Sequence, residues 1–182
     1  GNSLGGGIAW RYALAHPKRV PSLILVDAGG YPLPPKETPL AFRLARVPGL
    51  RGVLTKVTPR FVVAQSIRQV YADNRLVSDS LVDQYFDLAR RAGNREAFIR
   101  RMRGYAPDSA WRRIPALRMP TLVLWGQQDR LIPVENAHRF HRDLPNDTLV
   151  IFPHAGHVPM EEQPIATVRA VLQFLREHAP PR

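Results

Sequence analysis

The sequence has 182 residues, of which 45% are hydrophobic and 23% charged, with no cysteine and a formal charge of +11. This is enough chain for one domain with a real core, and its composition is ordinary for a globular protein. Disulfides and thiolate metal sites are excluded within it, and localisation stays open, cytoplasmic by default, since a chain without thiols tolerates either redox environment.

In chain order, Leu4 to Ala15 reads as a helix, with Leu4, Ile8, Ala9, Tyr12 and Ala13 at helical spacing and His16-Pro17 closing it. Ser22 to Asp27 is a continuous apolar run ending in an acid, as expected of a strand buried on both faces of a parallel sheet. Pro32, Pro34, Pro35 and Pro39 then read as an exit linker into a helical insertion over 31–116, clearest at Asp79–Ala92. Sheet-like sequence resumes at Thr121–Gly126, followed by a helix from about Val134 to Leu144 and a strand near Thr148–Phe152. A last helix over Pro164–His178 carries Ile165, Val168, Val171, Leu172 and Leu175 on one face. Alternating strands and helices on both sides of the insertion predict an α/β architecture with a parallel sheet covered on both faces. No run approaches the length of a membrane span, so no stable membrane insertion is expected. Most of the basic excess falls in 31–116, mixed with Asp73, Asp79, Asp83, Asp87 and Glu96. It reads as solvated helical surface, and nucleic acid is not an expected partner.

Three features carry chemistry. Gly1-Asn2-Ser3-Leu4-Gly5 has the form of a nucleophile elbow, with a serine on a tight strand-to-helix turn and glycines where backbone segments meet. The alternative is a glycine-rich helix start with an ordinary capping serine. In the elbow reading the Leu4 N–H, at the helix N-terminus, faces a developing oxyanion. Serine needs a base to remove its proton. Of the six histidines, His16, His138, His141 and His178 suit surface roles, leaving His154 and His157 in the loop after the last strand. His157 is preferred because Gly156 frees the loop to project it. A carboxylate must then orient the imidazole. Asp129, just beyond a strand end, is the preferred acid; its rival Asp27 reads as a strand-terminating acid that pins the following loop.

The order Ser, Asp, His is that of the α/β-hydrolase family. The GNSLGG turn, the SLILVDAGG strand, the WGQQDRLIP loop and the HAGHVPMEEQP loop resemble matching stretches of its lipid- and xenobiotic-active members. The resemblance covers about 1–30 and 117–180 and implies a hydrolase core over 1–30 and 117–182 with a helical cap inserted at 31–116. By position it implies Ser3 as nucleophile, Asp129 as acid, His157 as base and the Leu4 amide as one oxyanion donor. The implied substrate is a small molecule with an apolar acyl group, an ester or a lactone, without cofactor or metal. The GNSxGG turn also resembles that of meta-cleavage-product carbon–carbon bond hydrolases, and an inert binding protein of the same fold is the remaining alternative. Trp111, Leu131 and Val158 are candidate pocket residues, each with core packing as the competing role; Trp10 and Trp125 are expected in the core. Because the sequence opens on the turn itself, the expectation is that it forms the C-terminal half of the sheet of such a hydrolase. The earlier strands and a second oxyanion donor would then precede Gly1, and the 182-residue piece alone would be unstable and inactive.

Overall fold

The computed structural model describes residues 1–32, 47, 49, 56–103 and 108–178. The linker prolines Pro34, Pro35 and Pro39 lie outside the described residues. Three strands, β1 (Leu23–Val26), β2 (Thr121–Gly126) and β3 (Asp147–Phe152), form a parallel sheet in the order β1-β2-β3. Leu23 pairs with Thr121, and Thr121 with Asp147, so all three carboxyl ends lie together at one edge of the sheet. A single parallel bridge from Asn2 to Val26 lays the first residues along the free side of β1.

β2 is buried along its whole length, as a central strand covered on both faces must be. The apolar run of β1 reads as doubly buried, yet only Leu23 and Leu25 are fully so, while Ile24 and Val26 stay half-buried. Helix α1 (Leu4–Ala15) buries Gly6, Gly7, Trp10 and Ala13, one stripe at helical spacing, and ends where His16 meets Pro17.

Among the described residues the helices between β1 and β2 are α2 (Arg60–Val70), α3 (Asp79–Arg90) and α4 (Asn94–Arg103), with 3-10 segments at Asn74–Leu76 and Ala110–Ala116. Beyond β2 come α5 (Glu135–Asp143), then, after β3, α6 (Pro159–Glu162) and α7 (Pro164–His178). One sheet face packs Leu25, Val123 and Trp125 against Trp10 of α1 and Phe140 of α5. The other packs Leu122, Leu124 and Phe152 against Phe174 of α7. A third cluster lies apart from both: Ala64 and Ile67 of α2, Tyr71 just after it, and Val82 of α3 close on Val158, from the loop after β3. The described residues of the 31–116 stretch thus carry helices and 3-10 turns and no strand.

Most of the expected apolar face of α7 points outward: Ile165 is 77% exposed, Val168 55%, Leu172 46% and Leu175 41%, and Val171 alone of the five packs on the sheet, beside Ala166, Ala170 and Phe174. The helix is apolar on more than one side, so its periodicity alone did not say which stripe meets the sheet. Among the described residues no helix is long and apolar enough to cross a membrane.

Candidate active site

Ser3 sits between the Asn2–Val26 bridge and the first turn of α1, at φ 52° and ψ −118°. An L-residue rarely adopts that left-handed φ, and strain of this kind persists only where the surroundings hold it. Here the Ser3 N–H donates to the Val26 carbonyl at 3.0 Å, and the Ser3 carbonyl accepts from Gly7 and Gly29 at 3.0 and 2.9 Å. The Ser3 side chain makes no capping hydrogen bond, which removes the capping-serine alternative. Leu4, as the first helical residue, has an N–H with no intrahelical acceptor, beside the serine. Of the motif's two glycines the turn requires Gly1, where a β-carbon would lie 2.5 Å from the Gly5 backbone, and it requires Gly6 outside the motif rather than Gly5. A β-carbon at Gly6 would lie 2.5 Å from the Ala28 side chain, whereas one at Gly5 would meet nothing within 4 Å.

Asp129 lies just past β2 and His157 in the loop after β3, both at the carboxyl edge of the sheet. Parallel strands bring residues far apart in sequence together there. Oδ2 of Asp129 is 2.7 Å from Nδ1 of His157, and both side chains are almost wholly buried. The other carboxylate oxygen accepts the Leu131 and Ile132 N–H groups at 2.7 and 3.0 Å. An ionised carboxylate, which only accepts, fits all three donors if Nδ1 carries the imidazole hydrogen, and this leaves Nε2 with its lone pair. His157 is the one histidine among the buried polar residues; His16, His138, His141 and His154 are exposed and His178 half-buried.

Asn2 joins the two parts. Its Nδ2 donates to the Val26 carbonyl at 3.2 Å and to the His157 carbonyl at 3.1 Å, so the residue preceding Ser3 touches the histidine's own backbone. The His157 N–H in turn donates to the Val70 carbonyl at 2.7 Å. Glu162 extends this link, accepting from Gly156 N at 2.6 Å through Oε1 and from Ala72 N and Asp73 N at 2.8 and 3.2 Å through Oε2. The phenols of Tyr71 and Tyr85 both donate to Glu161. Burial, and then the bond to Glu161, hold both tyrosines well above the usual phenol range, so they remain donors.

Asp27 lies beside this dyad. It is fully buried, and its Oδ1 accepts the Gly126 N–H at 3.0 Å, which ties the end of β1 to β2 rather than to the loop that follows β1. Asp27, Asp129 and His157 each offer a donor atom within 4.8 Å of the others, the one such group of three among the described residues. In this group Nδ1 of His157 is already engaged with Asp129 in a hydrogen bond.

Of the candidate pocket residues, Val158 is buried against Ala64, Ile67 and Val82, and Leu131 is half-buried with its N–H on Asp129. Trp111 packs with the α1 and α5 layer, its ring 5.8 Å from that of Tyr31, contacts that favour the packing role. Trp10 and Trp125 are fully buried, as expected, with their indole N–H groups on the Gly29 and Ile132 carbonyls. The sequence reading passed over Asn2 and the Glu162 bridge; the first had a signal, its position next to the serine, and the second had none.

A model of the alpha/beta hydrolase fold family matches residues 1–164. The chain belongs to that family. It is 29% identical over 185 residues to 2-hydroxy-6-oxo-6-phenylhexa-2,4-dienoate hydrolase of Burkholderia cepacia, covering 96% of this chain and 61% of that one. The same identity and coverage hold for a 2-hydroxy-6-oxononadienedioate/2-hydroxy-6-oxononatrienedioate hydrolase of Comamonas testosteroni. Among solved structures it is similar to a thermophilic esterase from Thermogutta terrifontis, with a TM-score of 0.78, 28% identity, and coverage of 98% of this chain and 64% of that one. The chain spans about three fifths of the length of the curated relatives it matches. The α/β architecture and the parallel sheet expected from the sequence are those of the structure.

Proposed function

We propose that the protein is a serine hydrolase with Ser3 as nucleophile, His157 as general base and Asp129 as the orienting acid, acting on an ester, lactone or similar small apolar acyl substrate. The observation that carries this reading is the buried 2.7 Å contact of His157 with Asp129, joined through Asn2 to the strained turn at Ser3. A fold needs no such trio; chemistry does.

The steps are those this assignment implies for acyl transfer. Nε2 of His157 takes the Ser3 hydroxyl proton as Oγ bonds to the substrate's acyl carbon. The imidazolium formed is stabilised by Asp129, and the oxyanion by the Leu4 N–H. His157 then returns the proton to the departing alcohol as the carbon–oxygen bond breaks. Water repeats the sequence on the acyl-enzyme, releasing the acid and restoring Ser3.

Residues 31–116 serve in this reading as a cap over the core formed by 1–30 and 117–182. The packing of Val158 against α2 and α3 supports it, since it brings the loop after β3 against these helices; Val158 and Leu131 remain the pocket residues proposed. The second reading, a carbon–carbon bond hydrolase, is favoured by the names of the Burkholderia and Comamonas relatives. A panel of aryl esters, lactones and vinylogous 1,5-diketo acids, run on the full-length protein and its Asp129→Asn variant, tests both. Turnover of an ester or lactone that falls by about four orders of magnitude in Asp129→Asn supports the first reading. Turnover of the diketo acids alone selects the second, and full activity of the variant overturns the assignment of Asp129.

A further inference from the structure

The pin between β1 and β2 occupies half of the Asp27 carboxyl and leaves the other half unexplained. Asp27 leaves β1 at φ 43°, a left-handed conformation that aspartate tolerates better than most residues. The turn directs its carboxyl inward at the carboxyl edge of the sheet. Oδ1 is held by the Gly126 N–H, but Oδ2 is buried with no donor to accept from. The neighbouring group is another buried carboxyl, that of Asp129, in the cluster whose donor atoms lie within 4.8 Å of one another. Two ionised carboxylates cannot share such a dry site, and an acceptor facing an acceptor leaves both oxygens unsatisfied. One proton resolves both difficulties, placed on Asp27 because Asp129 already accepts three hydrogen bonds and Asp27 only one.

We propose that Asp27 is a positioning residue for the triad: a neutral carboxylic acid whose Oδ2–H donates to Asp129 and keeps that carboxylate aimed at His157. The inference rests on the reading of Asp129 and His157 as acid and base. The groups facing Asp27 are Asp129 from the loop after β2, His157 from the loop after β3, Glu162 from α6, and the Gly126 N–H. Burial, and then the charge of Asp129, push the Asp27 carboxyl up to about 9; Glu162 pushes the same way and the Gly126 N–H opposes. Ionisation of Asp27 at higher pH breaks the Oδ2–H bond, sets a charged acceptor against Asp129 and frees the orienting acid to move.

The test uses the full-length protein with Asp27→Asn and Asp27→Ala. The amide keeps an acceptor for Gly126 and a donor for Asp129, but it cannot ionise. Infrared difference spectra between about pH 7 and about pH 10 are expected to show a buried carboxylic acid losing its proton in the parent and no such band in Asp27→Asn. In kinetics the parent is expected to lose kcat at alkaline pH while Asp27→Asn keeps it. Near neutrality Asp27→Ala is expected about tenfold below Asp27→Asn in kcat, with KM alike in the two. Absence of the carboxylic band, or alkaline limbs that coincide in parent and Asp27→Asn, would overturn the proposal. The spectrum does not depend on turnover, so it stands or falls separately from the assignment of Ser3 and His157.

Discussion

Asn2 donates from Nδ2 to the carbonyl oxygen of His157 at 3.1 Å, across 155 positions of sequence. The same amide holds the Val26 carbonyl, so one side chain ties the turn at Ser3 to the loop that carries His157. Replacement of Asn2 by Ala leaves the His157 carbonyl without this donor, while the Val26 carbonyl keeps the Ser3 N–H; Asp places an acceptor against both. We expect kcat to fall about tenfold in Asn2→Ala and further in Asn2→Asp. Steady-state kinetics of the two variants checks this, and an Asn2→Asp variant as active as Asn2→Ala would contradict it.

Glu162 holds the histidine loop to the segment that follows α2 through three backbone N–H groups. Glutamine keeps one acceptor oxygen but turns its NH2 towards a donor. Glu162→Gln should therefore lose about 1–3 kcal/mol of stability, the cost of unsatisfied buried groups. Denaturant unfolding with an unchanged slope would measure it.

The glycines of the turn differ in what they do. Gly5→Ala adds a methyl into open space at the second position of a helix and should leave folding intact. Gly6→Ala forces that methyl to 2.5 Å from the Ala28 side chain and should cost several-fold in soluble yield. Equal yields of the two variants would show that the turn yields more easily than these contacts imply.

Much of this was legible in the sequence. Buried strands announced themselves as unbroken apolar runs, and the nearness of Asp129 to His157 could be expected because parallel strands gather their carboxyl ends at one edge. Less legible was whatever depended on which face an apolar residue meets. In α7 the stripe of Ile165, Val168 and Leu172 is exposed while a quieter one of Ala166, Ala170 and Phe174 meets the sheet. Long-range polar contacts were hidden for a different reason. Nothing in spacing or periodicity links Asp27 to Asp129 or Glu162 to Ala72; both follow from how the loops close over the sheet edge.

Asp27 also predicts a pH dependence of stability. Its carboxyl is raised from an ordinary value near 3.8 to about 9 by burial and by Asp129. Between those values the native state keeps a proton that the unfolded chain releases. The stability this group contributes is therefore fully present below about pH 4 and is lost as pH rises towards 9. Asp27→Asn removes that loss. It should unfold at higher denaturant than the parent, by an increment that widens from about pH 5 to about pH 8 and amounts to a few kcal/mol at the upper end. Parallel denaturation curves of the two proteins would give the sign directly.

The most direct test of the central claim is labelling of the full-length protein by a fluorophosphonate, which reacts with a serine only when a base has activated it. Stoichiometric modification at Ser3, abolished in Ser3→Ala and slowed by orders of magnitude in His157→Ala, is the predicted result. An unmodified Ser3 in folded protein, or labelling undiminished in His157→Ala, would contradict the account.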